Sequence, residues 1–122
     1  MDATATRKLL GLLGLGARGR LAVVGVEQVR DAAKKGRLAL AVVAPDASRH
    51  SLDKVLPLLH AKKVMVIQGP GATALGHAVG RESTAAVGVV DWKLARGIRA
   101  IVDPAPERTR ETGDEAPQRR QD

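Results

Sequence analysis

The sequence predicts an α/β protein, a three-layer α/β/α sandwich around a small, four-stranded mixed sheet. Short apolar runs alternate along the chain with segments whose apolar residues recur every three or four positions, as expected for strands alternating with amphipathic helices. The 122 residues are 44% hydrophobic but include one Trp and no Phe or Tyr. The core of this single domain must therefore be packed almost entirely with aliphatic side chains.

The first half of the chain contributes two helices and two strands. The predicted elements are a helix over 6–17, a strand over 21–24, a helix over 26–35 and a strand over 38–44. Val26, Val29 and Ala33 lie three and four residues apart, which predicts one buried face on the second helix, and Gly36 ends that helix. The strand over 38–44 is continuously apolar, as is typical of a strand covered on both faces.

The second half repeats the alternation. The predicted elements are a helix marked by Leu52, Val55, Leu56 and Leu59, a strand over 64–67, a helix through Leu75 and Val79, a strand over 85–90, and a final helix marked by Leu94, Ile98 and Ile101. Pro57 lies inside the third helix and predicts a kink or a local weakening there. Helices on both faces of a four-stranded sheet follow from this order of elements.

The charge is distributed unevenly between two parts of the chain. Residues 103–122 are rich in Pro, Glu and Arg, and they contain six acids and four bases, a net charge of −2. They have almost no large apolar residue, which predicts a disordered, charged tail. Residues 1–102 contain 16 bases and seven acids, a net charge of +9. A folded domain this basic has the electrostatic character of a nucleic-acid-binding protein.

Composition argues against several other classes. With no Cys in the chain, neither a disulfide framework nor a thiolate metal site is expected. Its three His residues lack a metal-binding spacing, so we expect no metal and no cofactor. There is no apolar run near the length of a membrane span, about 20 residues, and no secretory apolar segment, so we expect a cytoplasmic protein. A monomer is the expected state, because no exposed apolar seam is left over.

A glycine precedes the second predicted helix and defines the first candidate loop, Gly25 to Arg30. Glycine allows the backbone to approach a ligand closely, and the first N–H groups of a helix suit a phosphate. Gln28 can donate to and accept from a base edge, while Arg30 and Lys34 can contact phosphates. An ordinary helix start, with Glu27 favoured by the helix dipole, explains the same residues. This loop alone is weak support for a binding site.

Two further loops carry polar residues between apolar elements. In the loop over 45–48, Asp46 and Ser48 are typical helix-capping residues, so a structural role is favoured there over binding. The loop over 80–83, Gly-Arg-Glu-Ser, follows a predicted helix and precedes a buried strand. Arg81 is its best candidate for a contact to nucleic acid. These three loops alternate with the elements in a way that predicts a single surface.

Five segments then occur in order within the stretch of about residues 8–102 that the resemblance covers. They are Leu12-Leu13-Gly14-Leu15, Arg18-Gly19-Arg20-Leu21, Gly25 through Gly36, Ala44-Pro45-Asp46-Ala47-Ser48, and Leu75-Gly76-His77-Ala78-Val79-Gly80-Arg81. With this order and spacing the chain resembles the superfamily of kink-turn RNA-binding ribosomal proteins, of the archaeal seven-Ae and eukaryotic thirty-e type. Within that superfamily it is similar to the small bacterial YlxQ-like branch. The resemblance implies the same α/β/α sandwich and a structured RNA as partner.

The resemblance also implies a set of RNA-binding residues on two walls of a cleft. They are Gly25, Val26, Glu27, Gln28, Arg30, Lys34, Asp46, Ser48, Val79, Gly80, Arg81, Glu82 and Ser83. The family pattern at the first loop is Gly-x-Asn-Glu followed by a Lys, contacting sheared G·A pairs. Here Glu27, Gln28 and Asp31 fall at the Asn, Glu and Lys positions. A carboxylate near phosphates is electrostatically unfavourable, so this wall departs from the family pattern.

The main functional hypothesis is a non-catalytic protein that recognises kink-turn-like RNA, associated with the ribosome, translation or a riboswitch. The scarcity of aromatic residues argues against a stacking platform for single strands and favours a shaped duplex or bulge. A protein-interaction module on the same fold, without specific RNA binding, is one alternative, which the altered first loop keeps open.

A nucleotide-binding domain is the other alternative. Residues 69–74, Gly-Pro-Gly-Ala-Thr-Ala, fit the G-x-G-x-x-A pattern between a strand and a helix, and Asp91 ends the next strand. Three observations argue against it. Pro70 removes an N–H group from the turn that would face a pyrophosphate, and a single strand follows the motif, too few for a dinucleotide half. Elsewhere in the sequence, no catalytic nucleophile is evident together with a general base.

Overall fold

The structure, a computed structural model, describes residues 1–102 as five helices and four strands. The helices are α1 (Ala3–Arg18), α2 (Val26–Lys34), α3 (Arg49–Ala61), α4 (Ala72–Ala78) and α5 (Trp92–Val102). The strands are β1 (Ala22–Val24), β2 (Leu40–Val43), β3 (Met65–Gln68) and β4 (Ala86–Val89). All nine predicted elements are present in the predicted order. The predicted tail, 103–122, lies outside the described residues, and its disorder stays a prediction.

The four strands form one mixed sheet in the order β1-β4-β2-β3. β4 is antiparallel to both of its neighbours, with Val87 opposite Val24 on one side and Val42 on the other. β2 and β3 are parallel, and Val43 pairs with Gln68. The N-terminal end of β4 therefore lies beside the C-terminal ends of the other three strands. We call this end of the sheet, together with the loops that leave or enter it, the loop end.

Helices cover both faces of the sheet, which confirms the predicted three-layer sandwich. On one face, α1, α4 and α5 bury a cluster built on Leu9, Leu13, Leu40, Val42, Leu75, Val87, Val89 and Ile98. On the other face, α2 and α3 bury a smaller cluster built on Val29, Ala33, Ala41, Val55 and Leu59. Each fully buried Val, Leu or Ile contributes roughly 1.5–3 kcal/mol relative to exposure, so aliphatic packing carries the core.

The proline in α3 does not interrupt that helix. α3 is assigned continuously over 13 residues, with Pro57 inside it. Pro57 is exposed, and so is Asp53, whose carbonyl loses its helical partner at the proline. Water can reach that carbonyl, because this face of α3 points away from the sheet. Pro57 therefore removes one hydrogen bond from α3 without breaking the helix.

The described part of the chain contains neither a membrane-spanning helix nor a group of metal-ligating side chains. None of its helices has both the length and the apolar character needed to cross a bilayer. Between residues 1 and 102, no three His, Asp or Glu side chains come together in a group that could hold a metal ion.

Candidate functional site at the loop end of the sheet

Backbone hydrogen bonds draw the three candidate loops together around the start of β4. The N–H of Gly25 donates to the carbonyl of Ala86 at 2.9 Å, and the N–H of Ala44 donates to the carbonyl of Ala85 at 2.9 Å. The loop before β4 is the one that contains Arg81. The start of α2, the 45–48 loop and the 80–83 loop therefore lie at the same end of the sheet.

The N-terminus of α2 is open. Its N-cap residue, Gly25, has φ +95° and ψ 157°, and it makes no side-chain cap hydrogen bond. This backbone region is essentially restricted to glycine. A Cβ atom added to Gly25 would meet no heavy atom within 4 Å, so the space in front of the helix is free. The first N–H groups of α2 face that space without a side-chain acceptor.

Each of the other helices in residues 1–102 has a side-chain oxygen at its first turn, accepting from a backbone N–H at 2.7–3.1 Å. The acceptors are Asp2 at α1, Ser48 at α3, Asp46 at α4 and Asp91 at α5. Each cap satisfies one of the unpaired N–H groups and places an oxygen at the partial positive charge of the helix start. Within the described residues, α2 alone has no side-chain acceptor at its start.

Asp46 and Ser48, both predicted site residues, act as caps in the structure. Asp46 Oδ1 accepts from the N–H of Ala72, 26 residues along the chain, at 2.8 Å. Ser48 Oγ accepts from the N–H of Ser51 at 3.1 Å. A Cβ on Gly71 would lie 3.0 Å from Asp46 Oδ2, so the glycine makes room for this carboxylate. The structural role that sequence analysis favoured for both residues is the one their geometry supports.

The same contact weakens the nucleotide-binding alternative. A pyrophosphate at the Gly69–Ala74 motif would need the N-terminus of α4, where the Asp46 carboxylate already accepts a hydrogen bond. Two anions at one helix start repel each other. α4 is also only seven residues long. Asp91, the proposed ribose-binding acid, caps α5 instead, accepting from the N–H of Leu94 at 2.8 Å.

Gln28 is partly committed to the protein itself. Its Oε1 accepts from the N–H of Val24 at 3.2 Å. Val24 lies on β1, an edge strand, so Gln28 covers one open donor of the sheet edge. The side-chain NH₂ group remains available. Gln28 can therefore still donate through its NH₂ group, while one of the two acceptor positions of its Oε1 is used by Val24.

Two carboxylates on the exposed side of α2 already have cationic partners. Glu27 Oε2 lies 3.6 Å from Lys54 Nζ, and Asp31 Oδ2 lies 3.1 Å from Lys35 Nζ. All four side chains are at least 44% exposed, so these pairs add little stability. They do reduce the negative potential that Glu27 and Asp31 would present to a polyanion.

Of the two cations predicted on α2, Arg30 contacts α3 and Lys34 lies at the far end of the helix. Arg30 is half-buried, and its Nη1 donates to the carbonyl of Lys54 on α3. Lys34 is the last residue of α2, about 12 Å from its first residue at 1.5 Å per residue. The prediction that Lys34 belongs to the loop-end site conflicts with this placement, because α2 runs away from the loop end.

The 80–83 loop is held tightly against α4. The N–H of Arg81 donates to the carbonyl of Gly76 at 2.8 Å. A Cβ on Gly76 would lie 2.4 Å from Ser83 Cα, so the loop backbone packs directly on the helix. Gly80 turns the chain with φ +82°. Val79, half-buried, packs against the core cluster of this face rather than pointing to solvent.

The exposed side chains of this loop are Arg81, Glu82 and Ser83. In the part of the chain that the structure describes, Arg81 has no ion pair. Thr84, which sequence reasoning passed over, anchors the loop to the sheet. It is 8% exposed, and its Oγ1 donates to the carbonyl of Ala86 at 3.1 Å. The sequence signal that could have identified Thr84 is its position as a polar residue directly before an apolar strand.

The fold and the site define a class: a small α/β/α sandwich with an open helix start beside a cation-bearing loop at one sheet end. The chain belongs to the ribosomal protein L7Ae/L30e/S12e/Gadd45 family, whose model matches residues 8–96. This confirms the family predicted from the sequence segments, including its YlxQ-like branch. The RNA-binding protein YlxQ of Bacillus subtilis (strain 168) is 29% identical over 92 residues, 75% of this chain and 92% of that protein.

Solved structures agree with the fold. A protein with unknown function from Bacillus halodurans C superposes with a TM-score of 0.72 at 33% identity, covering 79% of this chain and 97% of that one. The Giardia lamblia 15.5kD RNA binding protein superposes with a TM-score of 0.68, covering 84% of this chain and 88% of that one. At 21% identity, the second likeness shows the fold alone.

Proposed function

We propose that this protein binds structured, kink-turn-like RNA at the loop end of the sheet and has no catalytic role. Family membership supports this function, as does the 29% identical relative named an RNA-binding protein. The observation that carries the proposal is the open N-terminus of α2, at the same end of the sheet as the loop that bears Arg81. We further propose a monomeric, cytoplasmic protein associated with translation.

In this proposal the start of α2 forms the first wall of the site. The N–H groups of Val26 and Glu27 donate to phosphate or base oxygens, assisted by the positive end of the helix dipole. Gly25 has no side chain, so the RNA backbone can approach the helix start closely. Gln28 adds its NH₂ group as a donor to a base-edge acceptor, such as guanine O6 or N7.

The 80–83 loop forms the second wall. Arg81 is exposed and free of ion pairs within residues 1–102, so its guanidinium can pair with a phosphate. The contacts that fix the loop on α4 and β4 hold its backbone in place before RNA arrives. Less ordering is then required on binding, which favours affinity. The net charge of +9 on residues 1–102 adds a long-range attraction.

Glu27 and Asp31 lower the affinity of the first wall relative to the family pattern. Each carboxylate stands where the resemblance implies a neutral or cationic group. Because both are paired with lysines at 3.6 and 3.1 Å, the penalty for a nearby phosphate is reduced. We propose that kink-turn selectivity is retained through the backbone donors of α2, with a smaller side-chain contribution than the family pattern supplies.

The test is a titration at fixed salt of a kink-turn RNA, an unbent duplex of equal length, and NAD. We expect preference for the bent RNA and a loss of affinity in Arg81→Ala, about fivefold or more for one charge-assisted contact. Arg99→Ala, an exposed arginine on α5, is the matched control. Equal affinity for both RNAs would leave only charge-driven binding. If the protein binds neither RNA, the protein-interaction module is favoured. If it binds NAD instead, the nucleotide-binding alternative is favoured.

A further inference from the structure

A second feature of the surface is an open groove of about 910 Å³ along the β1 edge of the sheet. Gln28 lies at its loop end, whereas Arg20, Arg37 and Trp92 line the part near the opposite end of the sheet. The groove follows α2 for most of its length. It therefore begins beside the proposed RNA site and leads away from it.

Trp92 gives this groove an unusual chemistry for this chain. It is the sole aromatic residue of the protein, and it is 70% exposed, while the core is entirely aliphatic. An exposed indole offers a flat π-face, and base stacking on such a face is tolerant of sequence. Nothing in the packing of residues 1–102 requires an indole at the start of α5.

The charges in the groove favour an anion. Glu27 and Asp31 line it, but each is already paired with a lysine, at 3.6 and 3.1 Å. Arg20 and Arg37 have no ion pair within the described residues. Two free guanidinium groups near one indole match the two parts of a nucleotide, its phosphate and its base.

The edge of β1 does not suit an added peptide strand. β1 has three residues, and the N–H of Val24, which points to the open edge, is taken by Gln28 at 3.2 Å. Strand addition needs a row of free N–H and C=O groups. The groove is therefore better suited to an occupant that binds through stacking and charge.

We propose that this groove is a nucleotide site, in which a base stacks on Trp92 and its phosphate pairs with Arg20 and Arg37. The nucleotide has two possible sources: an unpaired extension of the RNA bound at the loop end, or a free mononucleotide. For the first source, the inference rests on the proposed function. The groove begins at Gln28, so a strand that leaves the loop end reaches Trp92 by following α2.

Replacing Arg20 with glycine should weaken nucleotide binding while it stabilises the fold. It has a left-handed backbone, with φ +62°, and the same turn at the end of α2 uses Gly36, with φ +70°. In both turns the following residue donates to a carbonyl inside the helix, Leu21 to Gly16 at 2.7 Å and Arg37 to Ala32 at 2.9 Å. Arg20→Gly therefore removes the guanidinium while it relieves the backbone.

The experiment uses the intrinsic fluorescence of the full chain, which comes from Trp92 because there is no second Trp and no Tyr. The probes are a blunt kink-turn RNA, the same RNA with a short single-stranded extension, and adenosine monophosphate. We expect the extension to quench Trp92 and raise affinity about tenfold, which is ~1.4 kcal/mol and near the low end for stacking of one base.

The variants separate the groove from the loop end. Their RNA affinities are measured by the anisotropy of end-labelled RNA, because Trp92→Leu has no Trp fluorescence. Trp92→Leu and Arg20→Gly should lose the gain from the extension yet bind the blunt RNA as the wild type does. Arg20→Gly should also melt at the same or a higher temperature, which excludes misfolding as the cause. Arg99→Ala, the matched control, should keep the gain.

The possible outcomes distinguish the two nucleotide sources, and they also distinguish failure of the groove site from failure of the proposed function. Quenching by the extended RNA alone assigns the groove to the bound strand, and quenching by adenosine monophosphate assigns it to a free nucleotide, even if no RNA binds. Normal binding of blunt RNA, with no gain and no quenching by either probe, overturns the inference and leaves the proposed function intact. No RNA binding and no quenching would overturn both.

Discussion

The starts of α2 and α4 are two versions of one local structure with opposite outcomes. Both helices follow a strand at the loop end of the sheet, and both have a glycine as the N-cap residue. At α4 the Asp46 carboxylate accepts from the first helical N–H at 2.8 Å, whereas at α2 no side chain does. The availability of a helix start thus depends on a residue 26 positions away rather than on the local motif.

The two glycines also have different reasons for being there. Gly71 has φ −62°, which any residue adopts, and it leaves room for Asp46 Oδ2, which would lie 3.0 Å from a Cβ at this position. Gly25 has φ +95° and open space in front of it. One glycine serves an internal contact, and the other serves the backbone of a site that faces solvent. Substitutions at the two helix starts therefore give different results.

Gly25→Ala has the largest expected effect. An alanine in this backbone region is strained by about 1–3 kcal/mol, so the free energy of unfolding should fall by that amount in denaturant titration. RNA affinity should fall too, because the helix start shifts. Gly11→Ala is the control: Gly11 is an exposed position within α1 with no heavy atom within 4 Å of its Cβ. There the protein should gain roughly 0.5–1 kcal/mol. Equal effects at the two positions would contradict the special role of Gly25.

Asp46→Ala should destabilise the protein by about 0.5–2 kcal/mol, as expected for a lost helix cap. RNA affinity should change little, since Asp46 serves α4 rather than the ligand. Asp46→Asn keeps a capping oxygen and should recover most of the stability. A large loss of RNA affinity at wild-type stability would instead make Asp46 part of the binding surface.

Gln28→Ala should reduce the preference for bent RNA over straight duplex more than it reduces affinity for the duplex. The variant loses the amide donor, and it also leaves the Val24 N–H without its acceptor, so roughly 1 kcal/mol of stability should be lost. Affinities for both RNAs are measured at one salt concentration. A parallel fall in both would mean that Gln28 does not read the base edge.

Glu27→Asn has the smallest expected effect and the opposite sign. Removing this carboxylate from the first wall should tighten RNA binding by a few tenths of a kcal/mol to about 1 kcal/mol at low salt, and by less at high salt. Asp53→Asn, an exposed carboxylate on α3, controls for the change in net charge. If both variants tighten binding equally, overall charge explains the effect and the position of Glu27 does not.

Much of the fold follows from the sequence, because the spacing of apolar residues reports burial directly. The run over 38–44 and the spacing of Val26, Val29 and Ala33 predict a covered strand and its neighbouring helix, and the structure has both. The position of Lys34 also follows from helix length. The rise of 1.5 Å per residue puts the end of α2 about 12 Å from its first residue, away from the loop end.

The contacts that decide which candidate residues face a ligand join segments that are far apart in the sequence, so local patterns do not reveal them. Asp46 meets Ala72, Arg30 meets Lys54, and Thr84 meets Ala72 only after the sheet has brought distant segments together. No local pattern distinguishes an Asp that caps its own helix from one that caps another. For the same reason, residues 69–74 resembled a phosphate site more than the start of α2 did, although their helix start is already occupied.

The comparison of the two helix starts is tested most directly by backbone amide chemical shifts during titration with a kink-turn RNA. The amides of Val26 and Glu27 should shift strongly and saturate with the binding isotherm. The amide of Ala72, which donates to Asp46 at 2.8 Å, should stay nearly constant. A shift at Ala72 with no change at Val26 and Glu27 would contradict the assignment of the open α2 N-terminus as the RNA contact.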